Sequence, residues 1–326
     1  MPARLVLRAL SPAGPRGRLS IFIFHRVHPA PDPLAESEPD VAQFDRILGW
    51  IGSACNVLPM DRAIAGLRAG TLPARAAAIT FDDGYADNHD LALPVLLRHG
   101  MSATFFIATG YLDGGRMWND TVIEAVRAAA GPRLDLRGLG LGDHPLPDWP
   151  ARRTAIEAII GQIKYRPIGE RIELAERVAT MADVRPPADL MMTSAQVVEM
   201  RRAGMIIGAH TVSHPILARL DSEAAREEIV EGRRTLEHLL GEPVRYFAYP
   251  NGRPGTDYLP EQADLVRQLG FEAAFSTAWG AADGSADLMQ LPRFTPWDRT
   301  RAKFLVRVAI NLAGRNRQPA HDAGAC

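Results

Sequence analysis

Seven short runs rich in β-branched and aromatic residues recur along the chain: LSIFIFHRV, AAAITFDDG, SATFFIATG, MIIGAHTV, VRYFAYP, AAFSTAW and LMQLPRF. Several are apolar almost throughout, the pattern of strands covered on both faces in a parallel sheet. Between them, DLALPVLLRHG, TSAQVVEMRRAG, SEAAREEIVEGRRTLEHLLG and PEQADLVRQLG carry apolar residues at helical spacing, and each ends on a glycine suited to a helix stop. Strands alternating with helices predict an α/β layer or barrel. The polar, chemically useful residues gather at the C-terminal ends of the strands.

The rhythm breaks from about Asp113 to Met192. Two helical patterns, DTVIEAVRAAAG and ARRTAIEAIIGQI, flank a segment punctuated by glycine and proline, which predicts a helical insertion after the third strand. It serves either as a wall or lid over a site or as packing. The run RAKFLVRVAINLAGRNR is basic and amphipathic, with Phe304, Leu305, Val308 and Leu312 largely on one side. The predicted organisation is an N-terminal arm over 1–18, a barrel over 19–300 with its insertion at about 113–192, and a basic C-terminal helix and tail over 301–326.

With 326 residues, 47% of them hydrophobic, the chain buries a full core. A net charge of −1 gives no global field to hold nucleic acid, which is excluded as an expected partner. Two cysteines, Cys55 and Cys326, cannot make a disulfide framework, and the stretch Leu5 to Leu10 is interrupted by Arg8, so it lacks the apolar core of a secretory signal. No run approaches the ~20 apolar residues that span a bilayer. The expectation is a cytoplasmic location.

Three segments carry candidate chemistry. ITFDDGYADN sets two carboxylates, Asp82 and Asp83, after an apolar strand and before a glycine turn; if a divalent ion takes one, the other stays ionised nearby as a base. GAHTVSH separates His210 and His214 by three residues, and two histidines with one carboxylate are a frequent ligand set for a catalytic zinc or iron. RYFAYPNGRPG ends a strand in a Tyr249-Pro250 turn that can aim a backbone N–H at an oxyanion.

Taken in order, TFDDG, HTxSH and RxFxYPxG resemble the polysaccharide deacetylase family, also called the NodB-homology or carbohydrate esterase 4 family, from about Leu19 to Phe294. The resemblance implies a distorted (β/α)7 barrel with one divalent metal, usually zinc, at the C-terminal ends of the strands. It implies Asp82 as general base and Asp83, His210 and His214 as metal ligands. Two departures stand out: Ala248 occupies the position of an arginine that orients the base, and LPRFTPWD replaces a late Leu-x-His motif that supplies the catalytic acid. A variant subgroup resembling poly-N-acetylglucosamine deacetylases places the acid on the first strand in an F/Y-H-x-V motif. FHRV matches it and nominates His25 as the acid. Arg293, after the last strand, is the candidate to replace the missing arginine by pairing with Asp82.

The implied activity is removal of N-acetyl groups from an amino-sugar-containing glycan, a polysaccharide or its lipid-linked precursor. Trp279 first, then Trp118 and Trp297, are candidates to stack on a sugar ring, with Pro250 beside them in the substrate groove. Two other readings stay open: an amide hydrolase, deformylase or deacetylase, on a small lipid- or nucleotide-linked sugar, and a catalytically silent glycan-binding barrel. The C-terminal helix either closes the barrel or makes a peripheral contact with an anionic membrane surface.

Overall fold

The computed structural model describes residues 2–314. In chain order the elements are α1 (Pro2–Leu10), β1 (Ser20–Phe24), α2 (Val41–Ala54), β2 (Asn56–Val57), α3 (Met60–Ala69), β3 (Ala76–Phe81), α4 (Leu93–Arg98) and β4 (Thr104–Ile107). The insertion follows with α5 (Trp118–Ala128), β5 (Arg133–Asp135), β6 (Asp143–Pro145), α6 (Trp149–Ile163) and α7 (Ile168–Met181). The barrel resumes with α8 (Ser194–Arg202), β7 (Ile206–Ala209), α9 (Ser222–Leu240), β8 (Tyr246–Ala248), α10 (Pro260–Gln268), β9 (Ala273–Trp279) and β10 (Leu291–Arg293), and α11 (Arg301–Leu312) ends it.

Strands β1, β3, β4, β7, β8, β9 and β10 form one parallel sheet in that spatial order, and β2 adds to β3. Each contains part of one of the seven apolar runs. The sheet curls until its ends meet: the Ile23 N–H donates to the Phe294 carbonyl at 3.1 Å and the Phe294 N–H to that of Ile21 at 2.7 Å. Alternation along the strands sorts side chains by size. Phe22 stacks on Phe304 of α11, and Phe24 and Phe81 pack on Phe44 of α2, so these positions face the outer helices. Phe106 of β4 meets Phe275 of β9 at 5.2 Å across the barrel, within an inner cluster that includes Ile21, Ala78 and Ala248. Thr80 shares the parity of Ala78, and Asp82, one step past the strand, keeps it.

Two regions differ from the sequence reading, and a third, the C-terminal helix, follows one of its two alternatives. Between β1 and β3 lie α2, β2 and α3, which the apolar rhythm did not resolve; Asp40 caps α2 by accepting the Gln43 N–H at 2.7 Å. The insertion holds a third helix, α7, and a β5/β6 hairpin as well as the two expected helices, all built around a core of Trp118, Val122, Ile159 and Val178 that is separate from the barrel's. In α11 the apolar side points inward: Phe304, Val308 and Leu312 are buried, Leu305 is half-buried, and Phe304 lies 6.0 Å from Phe22 and 5.9 Å from Trp50. That face closes the barrel and is not free for a bilayer. The tail from residue 315, with His321 and Cys326, lies outside the described residues. No helix among the described residues is long and apolar enough to cross a membrane.

Candidate metal centre and catalytic pair

The site is assembled where strands end and loops bend sharply. After β3 the chain turns at Asp83 (φ 76°) and Gly84 (φ 94°), and a Cβ on Gly84 would sit 3.2 Å from the Ile107 side chain, so only glycine fits comfortably. After β7, Thr211 (φ 67°) and His214 (φ 52°) also take left-handed backbone, which the surroundings must hold in place. Helix α9 does so. Glu228 accepts the N–H groups of Val212 and Ser213, both at 2.9 Å, and Gly232 lets the helix approach so closely that an added Cβ would lie 2.7 Å from the Thr211 carbonyl carbon. From the other side the Tyr111 hydroxyl donates to the Ser213 carbonyl at 2.8 Å.

This scaffold brings Asp83, His210 and His214 together, with their ligand atoms within 4.8 Å of one another. Oδ1 of Asp83 is 3.3 Å from Nε2 of His210 and 3.4 Å from Nε2 of His214. Nδ1 of His210 lies 2.8 Å from the Ala248 carbonyl, which makes it the protonated nitrogen and leaves the Nε2 lone pair facing the carboxylate. Burial pushes His214 down to about 3, so it stays neutral; burial also opposes charge on His210, but without a metal a second proton on Nε2, bonded to Asp83 and favoured by the Asp82 charge, outweighs it and raises that group. For Asp83, burial would raise the carboxyl, yet His210 and His214 hold it well below the usual range. Three electron-pair donors thus converge on one buried spot. A divalent cation satisfies all three and a proton only one, so the donor set fits a metal of the zinc class.

Beside it, Asp82 is 3% exposed and Arg293 1% exposed, joined by two hydrogen bonds of 2.7 Å in a fork. Arg293 also donates from Nε to the Ser276 carbonyl at 2.9 Å and from a terminal nitrogen to Thr80 at 3.3 Å. Burial would raise Asp82, and the guanidinium overrides it and holds the carboxyl below its ordinary value. The expected pairing of Arg293 with Asp82 is thus present, and it comes from β10. His25 follows β1, whose Phe24 pairs with Phe81, so it stands level with Asp82 across the strand pair. Its Nδ1 is 3.9 Å from Glu38, and the next residue, Arg26, bonds Asp87 at 2.8 Å.

The other nominated residues divide. Tyr249 and Pro250 are buried; the Tyr249 hydroxyl donates to the Met289 carbonyl at 2.8 Å and its N–H to Phe275 at 3.1 Å, so neither is available to a substrate. Pro250 has no N–H, and the next donor in the turn is that of Asn251 (φ 59°), which has no hydrogen-bond partner among the described residues. Trp118 is 7% exposed inside the insertion core, which removes it as an open stacking surface. Trp279 is half-buried, 5.3 Å from Trp297 with Arg307 over both rings, and Trp297 lines a small cavity with His25 and Glu38. Glu228, Gly232 and Tyr111 went unnoticed in the sequence because each reads as an ordinary helix or loop residue; only their aim at the HTVSH loop distinguishes them.

A parallel barrel with a two-histidine, one-carboxylate centre at its C-terminal strand ends defines the class. A family model described as polysaccharide deacetylase matches residues 69–131 and 167–274, more than half of the chain, and omits much of the insertion. The chain belongs to the polysaccharide deacetylase family. It is 22% identical over 219 residues to YxkH of Bacillus subtilis (strain 168), also named a polysaccharide deacetylase; the aligned part is 67% of this chain and 50% of that protein, so the chain spans about half the length of this relative. The deacetylase PplD of Streptococcus pyogenes, solved in complex with acetate, superposes with a TM-score of 0.60 at 18% identity over 90% of this chain and 98% of its own. IcaB from Ammonifex degensii gives 0.56 at 20% identity over 93% and 98%. These likenesses establish the shared barrel.

Proposed function

We propose that the protein is a metal-dependent hydrolase that removes N-acetyl groups from an amino-sugar-containing glycan. The observation that carries this reading is the buried Arg293–Asp82 fork set directly beside the Asp83, His210, His214 centre. Those three residues would hold a divalent ion, zinc first by donor type, which would supply Lewis acidity toward a carbonyl and lower the pKa of a nearby water. Asp82, kept ionised by Arg293, takes a proton from that water as its oxygen bonds the acetyl carbon. The Asn251 N–H is the donor the turn offers to the developing oxyanion. As the C–N bond breaks, His25 in its protonated form gives its proton to the departing amine, leaving a free amino sugar and acetate. The half-buried Trp279 and Trp297 are the surfaces suited to a sugar face.

A catalytically silent barrel has no use for a base whose ionisation is enforced in the interior. The test is acetate release from N-acetylated glycans, polymeric and lipid-linked, by metal-stripped protein before and after zinc is added. Restored release, absent in Asp83→Ala together with its stoichiometric zinc, is the expected result. Asp82→Asn and His25→Ala are expected to slow the reaction while retaining metal; loss of metal in either would overturn the roles assigned here.

A further inference from the structure

Among the described residues two arginines are less than one tenth exposed, Arg293 at 1% and Arg171 at 5%. The first is saturated by Asp82, Ser276 and Thr80. The side chain of the second, on α7 of the insertion, has no ion pair and no hydrogen-bond partner among the described residues, and its buried Nε is unsatisfied. Its guanidinium lies 5.6 Å from the centre of the Trp118 ring, at the first turn of α5, where no side chain caps the helix. The ionisable group near enough to favour its charge is the phenol of Tyr111, and burial still pulls its pKa down. Asp120, a carboxyl that also acts on Tyr111, turns its Oδ1 to the Tyr85 hydroxyl at 3.2 Å and forms no ion pair with Arg171. Nε is cut off from both water and partners, which is costly to the fold, while the terminal nitrogens keep a trace of exposure, so an anion arriving from outside can reach the guanidinium and supply the missing counter-charge.

The position says what that is. Met117, the residue before Trp118, packs with Tyr111, and Tyr111 holds the carbonyl of Ser213, the residue before His214, so the stack of Arg171 on Trp118 borders the wall of the metal centre. We infer that Arg171 and the adjoining first turn of α5 form a subsite for an anionic group, a phosphate or a carboxylate, carried by the acetylated sugar. The inference rests on the deacetylase reading only for the sugar; the anion is read from the unpaired guanidinium alone. It gives the insertion a role in substrate choice and points toward glycosyl phosphates or acidic glycans rather than neutral ones.

The test is calorimetric binding to the zinc-loaded protein of three probes: N-acetylglucosamine 1-phosphate, a disaccharide of glucuronate and N-acetylglucosamine, and neutral diacetylchitobiose. At least one anionic probe is expected to bind tenfold or more tightly than the neutral one, and Arg171→Met to abolish that preference while Arg171→Lys keeps part of it. Which anionic probe wins distinguishes phosphate from carboxylate. Arg171→Met is also expected to melt no lower than the parent, since it removes an uncompensated buried charge. Equal binding of all three probes, a preference that survives Arg171→Met, or a marked drop in its melting temperature would each overturn the inference. Acetate release from the neutral probe by the parent protein tests the deacetylase reading separately.

Discussion

The barrel mouth and the helical insertion beside it both bury charge, and they treat it in opposite ways. At the mouth, Arg293 meets two carboxylate oxygens, a carbonyl and a hydroxyl, so each charge is answered within the protein. In the insertion, Oδ2 of Asp120 and Nε of Arg171 are buried without partners. The difference separates two uses of a buried polar group. Where a group must keep one ionisation state through every turnover, the fold completes its hydrogen bonds in advance. Where completion is withheld, the group either changes protonation state, as burial makes Asp120 do, or waits for a ligand, as argued for Arg171.

The sharpest way to break the contrast is to leave the mouth as incomplete as the insertion. Arg293→Met strands Asp82 in the interior, and breaking a buried pair by removing one partner costs about 3–5 kcal/mol. With the guanidinium gone, burial drives the Asp82 pKa upward, so the base is protonated at neutral pH and the acid limb of the rate profile moves to higher pH. Acetate release at pH 7 is expected to fall on the order of 100-fold, the low end of what general-base catalysis contributes. Arg293→Lys keeps the charge but loses the fork, and its loss should be smaller. A pH–rate profile of Arg293→Met superposable on the parent's would show that the pair does not set the base.

How far the sequence foresaw this division follows from where each signal resides. The seven apolar runs, the two aspartates and the two histidines sit at strand ends, where the alternation of the pattern and the chemistry coincide, and Arg293 was legible for the same reason. Helix α7 was not, because its pattern is inverted: Arg171 is 5% exposed while its neighbour Ile172 is 46% exposed, so hydropathy alone assigns each to the wrong side. That the Tyr249 N–H is taken by Phe275 and the one left over in the turn is that of a left-handed Asn251 is decided by the turn and not by composition. The amphipathic α11 could turn Phe304 to the barrel or to a bilayer, and the packing of Phe304 against Phe22 and Trp50 assigns that side chain to the barrel. Trp118 was legible as a large aromatic, which more often packs in a core than on a sugar, and its burial in the insertion follows the commoner case.

The insertion's own imbalance can be removed at Asp120, whose pKa is pushed up to about 7, first by burial and then by the Asp83 charge, against the pull of Arg26 and Tyr85. A carboxyl whose folded pKa lies above its unfolded value near 3.8 stabilises the fold below that value, and the stability is lost as pH rises through about 7. Metal-free Asp120→Asn has no such proton to lose. Its stability relative to the parent is therefore expected to rise between about pH 4 and pH 7 and then level off, by at most about 4 kcal/mol at about 1.4 kcal/mol per pH unit. Denaturant melts at pH 4, 6 and 8 measure it. A constant difference between the two proteins at all three pH values would mean that Asp120 is already completed by a partner, and would erase the contrast on the acidic side.

The smallest effect is expected where the mouth depends on a residue with no part in the chemistry. Glu228 holds the N–H groups of Val212 and Ser213 and thereby sets the strained turn that carries His214. Glu228→Gln keeps the shape but loses the charge that makes those bonds strong, at a cost of about 1–2 kcal/mol, partly relieved because Val212 and Ser213 are only half-buried and water can reach them. The consequence at the centre is looseness in one ligand of three, which supporting-residue changes usually register as about a tenfold loss of metal affinity. Because zinc in excess refills a weakened site, acetate release at saturating zinc should stay near the parent level while the zinc concentration giving half-maximal rate rises. A fall in rate that excess zinc does not restore would mean that the HTVSH loop positions the substrate as well as the metal.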